Sequence, residues 1–175
     1  MTGPGTLPWT AAAEHLLAQP VAVALTAWDR AGVLAAPIDP DLADTAAFCE
    51  QYGVAMDDSA NCVVIAGRRG DITRYAACVV LANTRADVNG VVRRRLDARK
   101  ASFAPMDEAV TLTGMEFGGI TPIGLPAPWP ILIDAAVLAR DVVVIGSGLR
   151  RSKIALPAAA LAELPGAEVI DGLAS

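Results

Sequence analysis

A glycine- and proline-rich loop, Gly118-Gly119-Ile120-Thr121-Pro122-Ile123-Gly124, is the part of the sequence best suited to bind a polar group without a charged side chain. Glycine lets the backbone approach a ligand closely, and successive N–H groups of such a loop can point at one oxygen atom. Proline stiffens the loop. The segment therefore predicts a site for a carbonyl oxygen or an oxyanion. The alternative is a tight crossover that needs glycine for its geometry alone.

Side chains that commonly act as bases, nucleophiles or metal ligands are scarce. The only histidine is His15, and the three cysteines, Cys49, Cys62 and Cys78, are widely spaced and form no CxxC pair. These features argue against a Ser-His-Asp or Cys-His device, a zinc site and a disulfide framework. The cysteines are expected to be buried small apolar residues. We expect no cofactor and no metal.

Charge is unevenly distributed along the chain. The net charge is −5, yet residues 68–100, here called the basic segment, carry nine basic and three acidic residues. A positive surface on an acidic protein can meet phosphate groups, and the alternative is an ordinary solvated face. The residues expected to contact phosphates are Arg93, Arg94, Arg95, Arg99 and Lys100.

The elements that position the loop can be predicted from the apolar pattern. Helices are predicted at 11–18 and 41–51, and the apolar run 21–28 predicts a strand. Residues 1–9 are predicted to form a loose tail. Segments 61–66 and 73–82 flank a turn with two glycines and predict a hairpin. Further helices are predicted at 87–96, 106–112 and 157–164, and further strands at 101–103, 130–134, 142–146, 152–156 and 167–170.

This irregular alternation predicts one α/β domain over residues 1–175. The sheet is expected to be mixed and mostly antiparallel, or a partly closed barrel, with flanking helices. Hydrophobic residues make up 54% of the sequence, enough for a core. No apolar run approaches the roughly 20 residues of a membrane-spanning helix. The first ten residues lack the basic start of a secretory signal, so the predicted location is the cytoplasm.

With these elements in this order, residues 61–173 resemble the YbaK/prolyl-tRNA-synthetase-associated domain, the aminoacyl-tRNA editing domain family. The most specific mark is the GxxxP motif at 118–122. Supporting marks are the hairpin, the helix closed by Thr113-Gly114, the strand ending at Asp134 and the turn Gly146-Ser147-Gly148.

The family hydrolyses the ester between a wrong amino acid and the 3′ end of a tRNA. The resemblance implies that Gly118 and Gly119 hold the ester through their backbone and are the catalytic positions. It also implies that water is oriented with help from the ribose hydroxyl of the substrate, so that no side-chain base is needed. The implied substrate-binding residues are Asn61, Ile120, Thr121, Pro122, Asp134, Ser147 and Gly148. For Asp134 the alternative is a structural acid that accepts backbone N–H groups.

The sequence departs from the family at one position. A lysine that contacts the terminal nucleotide usually begins the strand that here starts with Asn61. Asparagine donates hydrogen bonds but carries no charge. Either Lys100 or Lys153 supplies the positive charge and belongs to the substrate-binding residues, or the substrate differs, or activity is lost.

The predicted function is therefore that of a trans-acting aminoacyl-tRNA deacylase whose partner is the 3′ end of an aminoacyl-tRNA. The alternative is a non-catalytic binding module for a nucleotide, an aminoacyl derivative or a protein partner. A small-molecule esterase or amidase is the third interpretation. The sequence leaves open the amino acid, the tRNA and the oligomeric state.

Overall fold

The computed structural model describes residues 2–175, which form two β-sheets. A four-stranded antiparallel sheet has the order β1-β2-β8-β7, and a five-stranded sheet has the order β5-β3-β4-β6-β9. In the second sheet β6 runs parallel to both β4 and β9, while the other pairs are antiparallel. The strands are β1 (Thr10–Ala11), β2 (Leu34–Pro37), β3 (Ala60–Arg69), β4 (Ile72–Leu81), β5 (Lys100–Phe103), β6 (Ile131–Asp134), β7 (Val142–Gly146), β8 (Ser152–Pro157) and β9 (Ala167–Ile170).

Short helices flank the sheets. The α-helices are α1 (Gln19–Trp28), α2 (Thr45–Tyr52), α3 (Arg93–Arg95), α4 (Met106–Thr113) and α5 (Ala135–Leu138). A π-helical turn, Val88–Val92, leads directly into α3. Short 3-10 helices lie at Glu14–Leu16, Pro40–Leu42, Met56–Asp58 and Ala158–Glu163. The predicted α/β fold with a mixed, mostly antiparallel arrangement is confirmed, and its strands are divided between two sheets.

The hairpin of β3 and β4 follows from its sequence. Residues rich in valine and isoleucine pair along the full length of both strands, from Ala60 opposite Leu81 to Arg69 opposite Ile72. The two-residue turn places Gly70 at φ +59, a conformation that glycine adopts without strain.

Two predictions near the N-terminus are wrong. Residues 21–28 belong to a helix, α1, and not to a strand. The run is rich in alanine, a strong helix former, and Pro20 stands in the first turn, where proline is tolerated. Residues 11–18 contain a strand residue and the 3-10 turn Glu14–Leu16 in place of the predicted helix.

The predicted loose tail is also packed over its described part, residues 2–9. Leu7 is buried in a cluster with residues of α2, and the N–H of Thr6 donates to the carbonyl of Tyr52 at 2.9 Å. Met1 lies outside the described residues.

The two sheets meet at the start of β3. Ser59, just before that strand, bridges to Val144 of β7 in parallel. The largest buried cluster joins apolar residues of both sheets, including Val79, Ile133, Ile145 and Ile154. The amino-terminal end of β3 is therefore held beside β7. Within residues 2–175, no helix is long and apolar enough to cross a membrane.

Candidate functional site

A cavity of about 440 Å³ lies where the start of β3, the facing ends of β7 and β8 and the start of α2 meet the glycine–proline loop. Its rim is formed by Phe103, Met106 and Phe117, which are 63%, 57% and 48% exposed. Its floor is buried and includes Ala43, Ala60, Gly146 and Lys153. Four predicted site residues line this cavity together: Asn61, Gly118, Ile120 and Lys153.

The loop presents two free backbone donors to the cavity. Gly118 has φ +88, a conformation that favours glycine. Among residues 2–175, the N–H groups of Gly118 and Ile120 have no hydrogen-bond acceptor, and both residues line the cavity. By contrast, the N–H of Gly119 donates to the carbonyl of Glu116 at 2.9 Å. Of the loop residues, Gly118 and Ile120 therefore offer N–H donors beside the cavity, and the N–H of Phe117, just before the loop, also has no acceptor among residues 2–175.

Gly119 serves the packing of the loop. It does not line the cavity, and a Cβ on it would come within 2.6 Å of the backbone carbonyl oxygen of Leu149. Its own carbonyl accepts a hydrogen bond from the N–H of Gly148 at 2.7 Å. Gly119 therefore fits the alternative given for the loop, in which glycine is needed only for the geometry of a tight crossover.

The turn after β7 supports the loop from behind. Ser147 is fully buried, and its hydroxyl hydrogen-bonds to the Ser152 hydroxyl at 2.7 Å. The carbonyl of Gly148 accepts from the N–H of Glu116 at 2.9 Å. Ser147 and Gly148, predicted as substrate-binding residues, lie outside the cavity wall, where they position the loop.

Asn61 is held by α2. Asp44 caps this helix because its Oδ1 accepts from the N–H groups of Ala46 and Ala47 at 3.2 and 3.5 Å. The cap fixes the next residue, Thr45, whose hydroxyl donates to Asn61 Oδ1 at 2.6 Å. The amide group of Asn61 thus keeps its N–H donors for the cavity.

Lys153 is the cation inside the cavity. Its residue is 7% exposed, and Nζ lies 5.0 Å from the centre of the Phe48 ring. Nζ donates to the carbonyl of Ala43 at 3.4 Å. Burial lowers the pKa of Lys153, and the nearby Cys49 and Asp44 oppose this effect.

The other predicted site residues lie elsewhere. Lys100 is exposed on β5 opposite Arg68. Asp134 is buried at the start of α5, and burial raises its pKa while the N–H groups of Ala136, Leu173 and Ala135 oppose this shift. Asp134 thus has the surroundings of a structural acid. Thr121 and Pro122 belong to the loop but are buried and do not line the cavity, and the Thr121 hydroxyl has no partner among residues 2–175.

In the described part of the chain, no histidine lines the cavity, and its carboxylate, Asp44, accepts the backbone N–H groups that cap α2. Cys62 lines it, but burial strongly raises the pKa of the Cys62 thiol, so the thiol stays protonated. His15 is exposed outside the cavity wall. Within residues 2–175, no group of three or more His, Cys, Asp or Glu side chains could hold a metal ion. What the arrangement can do is polarise a carbonyl with backbone donors in an apolar pocket.

Sequence reasoning missed the rim. Phe103 and Phe117 lie on either side of α4, outside any apolar stripe of helical spacing. That position could have indicated that these aromatic side chains are exposed and not part of the core. Arg150 was also missed; its guanidinium donates to the carbonyls of Phe117 at 3.3 Å and Pro40 at 3.0 Å. No carboxylate pairs with this guanidinium in the described part of the chain. A free cation therefore stands beside the mouth of the cavity.

The basic segment is partly neutralised. Arg69 and Arg74 pair with Asp97 at 2.7 and 3.7 Å, and Arg95 pairs with Glu168. The basic residues of this segment that form no ion pair within residues 2–175 are Arg68, Arg85, Arg93, Arg94, Arg99 and Lys100.

The sequence matches a known protein family over most of its length. The model of the aminoacyl-tRNA editing domain family matches residues 39–164. This confirms the resemblance noted above and extends it ahead of residue 61. No curated protein matches the sequence.

Several solved structures share the fold. A proposed trans-editing enzyme for prolyl tRNA synthetase has a TM-score of 0.75 at 23% identity, over 88% of this chain and 94% of that chain. The hypothetical protein APE2540 has a TM-score of 0.75 at 21% identity, over 90% of this chain and 100% of that chain. A proposed signal transduction protein from Marinobacter aquaeolei VT8 has a TM-score of 0.57 at 19% identity; the match covers 89% of this chain but 30% of that one.

Proposed function

Because the chain belongs to the aminoacyl-tRNA editing domain family, we propose that it is a trans-acting aminoacyl-tRNA deacylase that hydrolyses the ester of a mischarged tRNA. The observation that carries this proposal is the cavity in which two free N–H groups, those of Gly118 and Ile120, border a pocket that no histidine among residues 2–175 lines. An ester is already a reactive acyl group, so polarising its carbonyl and placing a water molecule can suffice.

In the proposed reaction the ester carbonyl oxygen accepts hydrogen bonds from Gly118 and Ile120. A water molecule, oriented by the neighbouring ribose hydroxyl of the substrate, attacks the carbonyl carbon. The negative charge that develops on the carbonyl oxygen is stabilised by the two N–H groups, and removing one such donor typically costs about 10²–10³ in rate. The ester C–O bond then breaks, and the leaving ribose oxygen takes up the proton that the attacking water loses. The products are a free amino acid and an uncharged tRNA.

The rim fits the nucleotide part of this substrate. A single-stranded RNA end exposes the faces of its bases, and proteins commonly hold such bases on aromatic side chains. Phe103 and Phe117 are exposed at the mouth of the cavity, and Arg150 adds a free positive charge beside Phe117. Such a substrate would be met in the cytoplasm, where translation takes place.

The test is a deacylation screen over a panel of mischarged tRNAs, together with the variant Gly118→Ala. A fold neighbour is described as serving prolyl tRNA synthetase, so mischarged proline tRNAs come first in the panel. The substitution strains a backbone with φ +88 and is expected to shift the Gly118 N–H, while the added Cβ would meet the flexible side chain of Arg150, with Nη1 at 2.5 Å. We expect a loss of at least about 10²-fold in kcat/KM with a cooperative unfolding transition retained.

The matched control is Gly172→Ala. Gly172 also has positive φ, +74, but a Cβ there would meet no atom within 4 Å, and the residue does not line the cavity. This variant should show a similar backbone strain and unchanged deacylation. If the wild-type protein hydrolyses no ester in the panel, the deacylase proposal is wrong and the non-catalytic binding module takes its place. If a terminal 2′-deoxy tRNA is hydrolysed as fast as its parent, the role given to the ribose hydroxyl is wrong.

A further inference from the structure

The floor of the cavity holds an ammonium group whose hydrogen-bonding capacity is largely unused. Lys153 Nζ can donate three hydrogen bonds, but it donates one, at the long distance of 3.4 Å, to the carbonyl of Ala43. None of the ion pairs among residues 2–175 includes this lysine. Asp44, the carboxylate that lines the cavity, already caps α2 and forms no ion pair with it. Two donors of Lys153 Nζ therefore have no partner among residues 2–175, and the residue lines the cavity.

Burial of the Lys153 ammonium group with few hydrogen bonds lowers the stability of the protein when no ligand is bound. A charge taken out of water costs free energy unless a partner and hydrogen bonds compensate it. The Phe48 ring, 5.0 Å from Nζ, compensates part of the charge but accepts no conventional hydrogen bond. Apolar residues such as Ala60, Cys62 and Ile120 share the wall with Asp44, Thr45 and Asn61, none of which hydrogen-bonds to Nζ in the described part of the chain. An oxygen atom of the ligand is the partner that the site lacks.

The depth of Lys153 indicates which part of the ligand meets it. A tRNA end must enter past the exposed rim, where Phe103 and Phe117 stand, whereas Lys153 is 7% exposed on the floor. The aminoacyl group is the last group of a charged tRNA, so it reaches farther inward than the terminal nucleotide. The ester carbonyl is assigned to the backbone donors of Gly118 and Ile120. The acceptor left for Lys153 is in the side chain of the amino acid.

We propose that Lys153 donates a hydrogen bond to an oxygen in the side chain of the aminoacyl group, so that the cavity selects hydroxyl- or carboxylate-bearing amino acids over apolar ones of equal size. This inference rests on the deacylase function for its substrate, and it names the chemical class of that substrate. Lys153 is then a specificity-determining residue.

The experiment uses adenosine derivatives in which a stable 3′-amide replaces the ester, so that binding is measured without hydrolysis. Two pairs match in size: seryl with 2-aminobutyryl, and threonyl with valyl. An aspartyl derivative tests the carboxylate. Isothermal titration with the full-length wild-type protein should show at least about ten-fold tighter binding of each oxygen-bearing member, since hydrogen bonds to charged groups are among the stronger ones. The aspartyl derivative should bind most tightly.

Three variants separate the role of the ammonium group from a structural effect. Lys153→Met keeps an unbranched chain without the charge and should abolish the preference within each pair. Lys153→Gln keeps N–H donors and should restore part of it. Lys100→Met removes the other lysine of the chain, which is exposed on β5, and should leave the preference unchanged. The same pairs are then measured as esters on tRNA, by comparing kcat/KM.

The outcomes distinguish this inference from the proposed function. Equal binding within each pair, or the same preference in Lys153→Met, overturns the inference even if all esters are hydrolysed. A uniform loss of kcat for every substrate in Lys153→Met, without a change in preference, also overturns it and places the lysine at the ester carbonyl. If no ester is hydrolysed but the amides bind with a preference that depends on Lys153, the deacylase proposal is wrong and the ligand class stands.

Discussion

Neighbouring glycines in the loop have different tasks. Gly118 lines the cavity and has a free N–H. By contrast, the N–H of Gly119 donates to the carbonyl of Glu116, and Gly119 packs against the backbone of Leu149. The GxxxP motif predicted the loop and its place at the cavity but not this division. The N–H of Gly119 is taken by a local turn, but the close packing of Gly119 depends on Leu149 in the β7–β8 turn, a tertiary contact that the sequence does not encode locally.

The Cys62 thiol gives a prediction at the same scale, because it lines the cavity and could be mistaken for a nucleophile. Burial raises its pKa far above the ordinary value, so the reactive thiolate is not formed near neutral pH. We expect Cys62→Ala to keep kcat/KM within about one order of magnitude, whereas removal of a true nucleophile costs roughly 10⁴-fold or more. The pH–rate profile should show no step near about 8.5, the ordinary thiol value. A loss of 10⁴-fold with a normal unfolding transition would mean a covalent mechanism.

At the scale of elements, the sequence predicted the strands from residue 60 onward well and the first 30 residues poorly. The hairpin, β5 to β9 and α4 all lie where turn residues and apolar periodicity placed them. The run 21–28 was assigned to a strand because a short apolar run does not distinguish a strand from a buried helix. Tertiary packing favours the helix α1 for this run. Val21 is fully buried in the main cluster, and Leu25 and Trp28 pack against the same cluster.

The pairing of β3 with β5 leads to a prediction about tRNA binding. Arg68 and Lys100 stand directly opposite each other on these antiparallel strands, and like charges in such positions destabilise a sheet. A phosphate group would compensate both. Lys100→Gln should therefore weaken tRNA binding and lower the slope of log affinity against log salt by about one, while thermal stability stays equal or rises.

The control for this prediction is Arg30→Gln, since Arg30 lies outside the basic segment and pairs with Glu163 at 3.0 Å. Binding of uncharged tRNA is measured at several salt concentrations by fluorescence anisotropy. An unchanged slope in Lys100→Gln would leave this part of the basic segment as ordinary solvated surface.

At the scale of the whole molecule, the cavity lies where the two sheets meet. The Lys153 ammonium group buried there lowers the stability of the fold. Lys153 belongs to β8, and its stem enters the space between that strand and α2, beside the fully buried Phe48. Burial lowers the pKa of Lys153 below its ordinary value of 10.5. The unfolded chain therefore binds this proton more tightly than the native protein does, and the charged lysine lowers the free energy of unfolding at neutral pH.

Lys153→Met should consequently stabilise the protein at pH 7. A gain of about 1 kcal/mol corresponds to a rise in Tm of about 2–4 °C for a chain of this size. As pH increases through the interval between the native pKa of Lys153 and 10.5, the wild-type lysine loses its proton, its penalty disappears and the difference in Tm between the two proteins should shrink. Differential scanning calorimetry of both proteins at neutral and alkaline pH measures this difference, with Lys100→Met as the control that removes an exposed ammonium. A structural lysine would behave in the opposite way: if Lys153→Met lowers the Tm at pH 7, the ammonium group has stabilising partners within the fold, and the reason for expecting a ligand oxygen beside it is lost.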